Sequence, residues 1–451
     1  MPRSEKEKMP APAPGMQRHR QRKRACMEKQ KKTAEITVDR AETLQKCIPI
    51  LCSWYREKKR DLPWRHGKNA YHTWVSEIML QQTRVEAVKG YYQRFLEALP
   101  SVQDLAECPE DRLLKLWEGL GYYNRVRNMQ KAAKEIVAGS SLPMSWFGES
   151  GEQEGAGNIT AAELTTEKTG EDRVFPALLA LPGIGRYTAG AIASIAFAIP
   201  VPAVDGNVLR VLSRVFADAG DISRQAVRHR YEEMLQAAML AYFHSGSGHV
   251  KPVRIERMQE DLPGDFNQSF MDLGAMVCLP NGAPLCGSCP LAEARLCRAH
   301  LDSREQDFPV KAQKKDRRIE NRTILLIRDG EQVILQKRPE TGLLASLYEF
   351  PNLPGTLTRP QALGKVEEMG FYPIRIRRLG PAKHIFSHVE WHMTGFEIRV
   401  AEFDSGEAAA HASSWILAGI ADIRDRYAIP SAYAAYLGTL QTEDRKGTGR
   451  K

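Results

Sequence analysis

Leu181-Pro182-Gly183-Ile184-Gly185-Arg186-Tyr187 decides how this chain folds, and Val204-Asp205-Gly206-Asn207 follows one helix later. The first stretch reads as a tight hairpin between two helices. Gly183 and Gly185 permit backbone angles that a side chain forbids, and they leave amide N–H groups bare. Bare amides at the start of a helix bind anions such as a DNA phosphate. The run from Thr188 to Ile199 reads as a buried helix of small and apolar residues, stopped by Pro200 and Pro202. A phosphate grip with a carboxylate one helix away suits work on one nucleotide. A glycine hairpin alone fits a purely structural helix pair with an incidental acid equally well.

At 451 residues the chain has room for two or three domains. Its longest apolar run, Ala189 to Val204, is broken by two prolines and is too short to span a bilayer, so a soluble protein without a membrane partner is expected. The net charge of +9 is uneven: residues 1–32 carry +8 and residues 145–173 carry −5. The tail over residues 1–40 is basic and lacks apolar periodicity. It is expected to be disordered, either as a solubilising arm or as a source of non-specific attraction to phosphates. It has no apolar core like that of a signal peptide. Of eight cysteines, four crowd between Cys278 and Cys297. That is too few and too clustered for a disulfide scaffold, so a reducing compartment is expected.

The pattern then divides the chain. Residues 41–301 read as helical, with Asp104–Glu118 and Asn124–Val137 both carrying apolar residues at three- and four-residue spacing. Two polar inserts, about 145–173 and 244–262, interrupt this domain. Residues 302–320 read as a charged linker. In 321–438 the grammar changes: Thr323–Ile327 and Gln332–Gln336 flank Asp329-Gly330, a hairpin signal, and Phe396–Val400 is another strand. A short tail, 439–451, ends the chain. The expected fold is an all-α core followed by a smaller α+β domain.

Three constellations carry chemistry. Cys278, Cys286, Cys289 and Cys297 are spaced x7, x2, x7, which suits zinc or a [4Fe–4S] cluster. Zinc more often takes two CxxC knuckles, and only one is present, so the spacing favours the cubane. Glu77 lies in Trp74–Thr83 with apolar residues on both sides, so its helix reads as buried. A carboxyl there loses hydration, keeps its proton and becomes a general acid. The alternative is a helix acid facing water or paired with Arg84. Glu77 and Asp205 together suit glycosidic cleavage, in which one group protonates the leaving group and the other stabilises the sugar cation. Finally, Trp64-Arg65 and Gly121-Tyr122-Tyr123-Asn124-Arg125 set flat rings beside cations, as needed to wedge or stack bases.

The motifs LPWR at 62–65, SEIMLQQT at 76–83, GLGYYNR at 119–125, LPGIGRYTAGAI at 181–192, VDGNVLRVLSR at 204–214 and FNQSFMDLGAMVC at 266–278 resemble the MutY-type adenine DNA glycosylases of the helix-hairpin-helix base-excision superfamily. The resemblance implies a helix-hairpin-helix core with an iron–sulfur loop and a C-terminal MutT-like, Nudix-fold domain. It implies that Glu77 is the general acid on adenine N7 and that Asp205 stabilises the sugar cation or a covalent adduct. Tyr187 and Asn207 would help to position the reacting groups. Trp64, Arg65 and Gln268 would line the adenine pocket, and Gln82, Leu120 and Tyr122 would surround the opposite oxidised guanine. Gly183 and Gly185 would contact DNA. The endonuclease III branch carries lysine where Tyr187 stands, and a phenol forms no Schiff base, so base removal without a built-in lyase is expected. The family's cysteine spacing is x6, x2, x5. The departure here bears most on Cys297, although no other cysteine lies near enough to replace it.

In the C-terminal segment, Gly342–Ala345 and Tyr348–Pro351 resemble the early part of that Nudix-fold domain. Glu367-Glu368-Met369-Gly370 is preceded by Leu363-Gly364 rather than the Arg-Glu pair of a working hydrolase, so a binding module is expected and a nucleotide pyrophosphatase is disfavoured. Phe386, Ser387 and His388 match the family's loop against 8-oxoguanine. The expected partner is duplex DNA with adenine opposite 8-oxoguanine, bound by a monomer in the cytoplasm of a bacterium or the nucleus of a eukaryote. The rival readings are a G·T or G·U glycosylase of the same superfamily and a non-catalytic protein that binds damaged DNA.

Overall fold

A computed structural model of the chain describes residues 39–67, 69–139, 142–148, 170–244, 262–312, 316–401, 403 and 415–441. The basic tail to residue 38, most of both inserts and the last ten residues lie outside this set. In chain order the helices are α1 (39–58), α2 (Ala70–Leu80), α3 (Val85–Ala98), α4 (Val102–Glu107), α5 (Glu110–Leu116), α6 (Asn124–Val137), α7 (Gly170–Ala180), α8 (Arg186–Phe197), α9 (Gly206–Val215), α10 (Gln225–His244), α11 (Pro263–Met276), α12 (Arg359–Glu368), α13 (Ile420–Arg426) and α14 (Ala434–Gln441). The strands are β1 (Arg318–Asp329), β2 (Gln332–Lys337), β3 (Tyr348–Glu349), β4 (Asn352–Pro354), β5 (Pro373–Ile385), β6 (Val389–Val400) and β7 (Ile416–Gly419). Among the described residues, no helix is long and apolar enough to cross a membrane.

The chain forms two compact units. The first holds residues 1–61, 164–175 and 186–312. Its core is all helical: Leu44, Ile48 and Leu51 of α1 pack with Val208, Val211 and Leu212 of α9, Tyr231 and Leu235 of α10, and Phe266, Phe270 and Leu273 of α11. Arg60, just past α1, clamps Asp272 of α11 with its backbone N–H at 3.1 Å and its guanidinium at 2.9 and 2.6 Å. The expected linker is narrower than 302–320. Phe308 is 3% exposed, Ile222 N–H donates to Val310 O at 3.1 Å, and β1 starts at Arg318. An aromatic anchor inside a charged stretch carries the chain along this unit before the sheet begins.

The second unit holds residues 62–163, 176–185 and 313–451. Its helical part is built on α2 to α6. The single helix expected over 104–118 is two. Pro109 has no N–H, and the residue before a proline avoids helical angles, so Cys108 turns out at ψ 128° and α5 starts afresh. The Ser101–Asp104 capping box opens α4.

The rest of this unit is a mixed sheet in the order β3-β2-β1-β6-β5, with β4 on β1 and β7 on β2. The β1–β6 pair is parallel, and the β1–β2 hairpin turns at Asp329-Gly330 as its sequence dictates. One face packs Ile324, Leu326, Leu335 and Trp391 under Tyr433 and Tyr436. The other packs Leu325, Ile327 and Ile398 under Ala362 and Val366 of α12. Polar contacts join the sheet to the helices of the same unit. Lys115 donates to Tyr427 O at 3.0 Å, Glu118 accepts from Ile429 N–H at 2.8 Å, and Asp111 meets Lys337 at 2.7 Å and Tyr348 at 3.0 Å. The chain is therefore a helical core followed by a Nudix-like sheet domain.

Candidate active site

Asp205 sits where its sequence surroundings require. Pro200 and Pro202 forbid a continued helix, and the chain re-enters one at Gly206. The helix α8 ends earlier than expected, at Phe197, because Ala198 adopts φ 53°. Asp205 is the N-cap of α9 and accepts from Val208 N–H at 2.8 Å. Its other oxygen accepts from Asn207 Nδ2 at 2.8 Å. Asn207 in turn accepts at Oδ1 from Arg210 Nη2 at 2.8 Å. The same guanidinium donates to Gly274 O at 2.7 Å and Cys278 O at 2.9 Å. Gly274 must be glycine, since a Cβ there would lie 2.6 Å from Asn207 Cβ and 3.2 Å from Arg210 Nη2. Burial pushes the Asp205 pKa above its ordinary 3.8, against the opposing pull of the Val208 and Asn207 hydrogen bonds and the Arg210 charge.

The loop before Asp205 is pinned by Asn267, which is 2% exposed. Its amide donates to Ser194 Oγ at 2.8 Å and Val201 O at 2.9 Å, and its Oδ1 accepts from Ala203 N–H at 3.1 Å. Gln268, the neighbouring residue singled out from the motif, is half-buried on α11. Tyr187, on the first turn of α8, is half-buried with its hydroxyl 4.0 Å from Met271 Sδ. The hairpin before it turns at Gly183, φ +77°, where an added Cβ would strike Asn128 Cβ at 2.6 Å. Gly185 differs from expectation: its φ is ordinary and nothing lies within 4 Å of an added Cβ. Both glycines are exposed, so the amides between α7 and α8 are open to an anion.

Glu77 belongs to the second unit and Asp205 to the first. Glu77 is 5% exposed on α2, with Trp74, Val75, Ile78 and Met79 buried around it. The helix starts on an Asn69 cap, which accepts from His72 N–H at 3.0 Å. Its other end is held by Arg125, which donates to Ile78 O at 2.7 Å, Met79 O at 3.1 Å and Gln81 O at 2.6 Å. Arg125 also donates to Leu120 O at 3.1 Å and Gly121 O at 3.0 Å. One guanidinium thus ties the turn bearing Gln82 to the turn bearing Tyr122. Both residues hold positive φ, 59° and 49°, and both are exposed. Burial lowers the Arg125 pKa to about 10. Leu120 is 6% exposed, and Trp64 is 8% exposed with its ring edge-on to Tyr92 at 5.5 Å. Arg65, next to it, is half-buried.

All four clustered cysteines lie in the first unit, and Cys278, Cys286 and Cys289 each raise the pKa of Cys297. Arg214 Nη1 donates to Cys278 Sγ at 3.2 Å. The Cys289 sulfur faces the N–H groups of Ala292 and Leu291, and the Cys297 sulfur faces that of His300. N–H donors aimed at thiolates are what a metal–sulfur group needs. Burial pushes the Cys286 thiol up to about 11 and Cys297 to about 12, so a metal must displace protons there. The residues fit a cluster. Two neighbours went unread in the sequence: His300 Nδ1 and Glu305 Oε1 lie 2.6 Å apart, and with Cys286 they bring three ligand atoms within 4.8 Å. Cys47 of α1, buried, interacts electrostatically with Cys297 and Cys289.

Residues 75–237 match the HhH-GPD superfamily of base excision DNA repair proteins, and residues 323–438 match the NUDIX domain. The adenine DNA glycosylase of Mus musculus is 35% identical over 397 residues, covering 75% of this chain and 68% of the relative. That of Rattus norvegicus is 34% identical with the same coverages. The chain belongs to the adenine DNA glycosylase family. It is a DNA glycosylase of base excision repair. A thermostable thymine-DNA glycosylase structure overlaps it with a TM-score of 0.41 at 22% identity, covering 59% of this chain and 99% of that one.

In the glycosylase's sheet domain, Phe386-Ser387-His388 forms the turn between β5 and β6, closed by Phe386 N–H to Val389 O at 2.9 Å. Phe386 faces inward, edge-on to His384 at 4.6 Å and Trp391 at 4.9 Å, so it anchors the turn. Ser387 and His388 are exposed, 3.2 Å apart from Oγ to Nδ1. Glu367 and Glu368 end α12 in solvent, and Glu368 pairs with Lys365 at 2.5 Å.

Proposed function

We propose that this glycosylase hydrolyses the N-glycosidic bond of adenine mispaired with 8-oxoguanine and does so without a lyase step. The reading is carried by Asp205, a carboxylate fixed by two hydrogen bonds at the N-terminus of a helix and pushed up by burial. A desolvated, oriented carboxylate stabilises a developing sugar cation more strongly than a solvated one. Glu77 gives its proton to the adenine ring, so the base leaves neutral. Tyr187 supplies no amine, so no Schiff base holds the sugar. Ser387 and His388 present a hydroxyl and an imidazole, donors and acceptors that suit the altered edge of 8-oxoguanine.

Cys278, Cys286, Cys289 and Cys297 would hold a [4Fe–4S] cluster. Its contribution when bound would be to fix the 278–297 loop, from which Cys278 O anchors Arg210.

A substrate panel tests the reading. Duplexes carrying adenine opposite 8-oxoguanine, thymine opposite guanine, and no damage are incubated with enzyme and cleaved with alkali. Adenine release must dominate, and the Glu77→Gln variant must lose it by about 10²-fold or more, the scale of a general acid. Borohydride trapping must yield no covalent adduct. Release of thymine, or full-rate release by Glu77→Gln, rejects the assignment.

A further inference from the structure

Within the second unit, one face of α5 and the residue just past its end bond to the sheet domain. Asp111, Lys115 and Glu118 recur at four- and three-residue spacing and all three reach across. Leu113, Leu114 and Trp117, between them, are buried. The three contacts differ in weight. The Asp111 and Lys337 side chains are 47% and 42% exposed, and an ion pair so wet contributes little. Lys115 is more enclosed, and it donates to Glu118 Oε2 at 2.6 Å as well as to Tyr427 O at 3.0 Å. Glu118 Oε1 accepts from Ile429 N–H at 2.8 Å. Ile429 is 2% exposed, so its N–H is shielded from water and needs that acceptor.

Glu118 opens the turn that carries Tyr122. Leu120 N–H donates to Trp117 O and Trp117 Nε1 donates to Gly121 O, both at 3.1 Å, so the turn is bonded back onto the end of α5. Tyr122 is 48% exposed with the Arg125 guanidinium over its ring at 5.6 Å, a flat ring fit to stack on a base. On the sheet side, Ile429 packs in one core with Tyr433 and Trp391. Trp391 meets Tyr433 edge-on at 6.3 Å and Phe386 at 4.9 Å, and Phe386 anchors the turn of Ser387 and His388. Packed rings and hydrogen bonds therefore run from the Ser387–His388 turn to the Tyr122 turn, and this path passes from sheet to helices at Glu118.

We propose that Glu118 is a positioning residue for substrate choice: it holds the Ser387–His388 turn and the Tyr122 turn in one register, so that reading 8-oxoguanine favours excision of the adenine opposite. The proposal rests on the substrate assigned above. Full-length wild type, Glu118→Ala, Glu118→Gln, Glu118→Asp, His388→Ala and the double variant Glu118→Ala/His388→Ala are compared by kcat/KM. The duplexes carry adenine opposite 8-oxoguanine or adenine opposite guanine, and the readout is the ratio of the two. Glu118→Ala lowers the ratio by about tenfold, in the range of coupling between two sites, with excision opposite guanine at the wild-type rate. Glu118→Gln still offers Ile429 an oxygen and retains the ratio. Glu118→Asp keeps the charge beside Lys115 but draws back from Ile429 and lowers the ratio, so the test does not depend on Glu118→Ala folding. The double variant falls no further than the lower of its two single variants, because both break the same link. A residue that only stabilises the fold slows both duplexes alike, and its effect multiplies with that of His388→Ala. Equal slowing of both duplexes, multiplied effects in the double variant, or a wild-type ratio in Glu118→Ala and Glu118→Asp overturns the proposal. Failure of the substrate assignment shows in the wild type itself, as no adenine release or no preference for 8-oxoguanine, and removes the coupling with it.

Discussion

Arg210→Met tests whether Asp205 is positioned through Asn207. Arg210 is 6% exposed, and methionine fills much of its volume without a donor. Three acceptors lose their partner: Asn207 Oδ1, Gly274 O and Cys278 O. Each buried acceptor left unsatisfied costs about 1–3 kcal/mol. Shared networks are not additive, so roughly 3–6 kcal/mol is the expected loss. At about 2–4 °C per kcal/mol for a unit of this size, the melting temperature falls by roughly 6–24 °C. The catalytic effect is separate. With Oδ1 released, the Asn207 amide can turn its oxygen toward the carboxylate, and Asp205 loses a donor that holds its pKa down. Burial then pushes that pKa higher. Asp205 acts when ionised, so the acid limb of the single-turnover rate moves to higher pH. At neutral pH the rate falls by about 10²-fold, as for a reacting group displaced by an ångström. Arg210→Lys keeps the charge but not the fork, and lands between. The assay is adenine excision under single-turnover conditions from acid to neutral pH, well below the melting temperature. A variant that melts early but keeps both its rate and its acid limb refutes the reasoning, because a merely structural arginine would behave that way.

Three further outcomes are expected. Gly183→Ala forces a side chain into positive φ and onto Asn128, and lowers the melting temperature; Gly185→Ala leaves melting unchanged and weakens duplex binding, since only the approach of a phosphate is hindered. Arg125→Met unties the turns of Gln82 and Tyr122, so affinity for the mispaired duplex in equilibrium binding drops by about tenfold, the cost of one lost charged hydrogen bond. Cys297→Ala lowers the iron and acid-labile sulfide bound per chain, while the sheet domain, which holds none of the cysteines, keeps its hydrogen-exchange protection. Iron content equal to wild type would remove Cys297 from the ligand set.

Local signals in the sequence predicted local structure. The period over Asn124–Val137 became α6 with those bounds, and Asp329-Gly330 became a hairpin. Glu77 is buried because the apolar residues around it leave its helix no solvent face. The clamps were not legible, since Arg125, Arg210 and Asn267 act on backbone groups 44 to 68 residues away or on a neighbouring loop, and spacing carries no trace of that. One signal was available for Arg210. Gly206–Val215 is apolar at Val208, Leu209, Val211, Leu212 and Val215, which leaves little polar face for Arg210 and Arg214. Two arginines four apart in such a helix share one side and must find acceptors inside. The break at Cys108-Pro109 was legible too, but the apolar period across it outweighed the proline.

Those acceptors explain why the carboxylate and the cysteines belong to one device. The last turn of α11 and the loop after it leave carbonyls without a helical partner, and these need donors from elsewhere. Arg210 serves Gly274 O and Cys278 O, and Arg214 serves Leu279 O at 2.9 Å, Glu305 O at 2.9 Å and Phe308 O at 3.0 Å. Both arginines come from α9, whose N-terminus is capped by Asp205. Burying a guanidinium is costly unless each donor is met, so helix and loop are ordered together or not at all. Whatever fixes the cysteine loop therefore fixes the helix that aims Asp205.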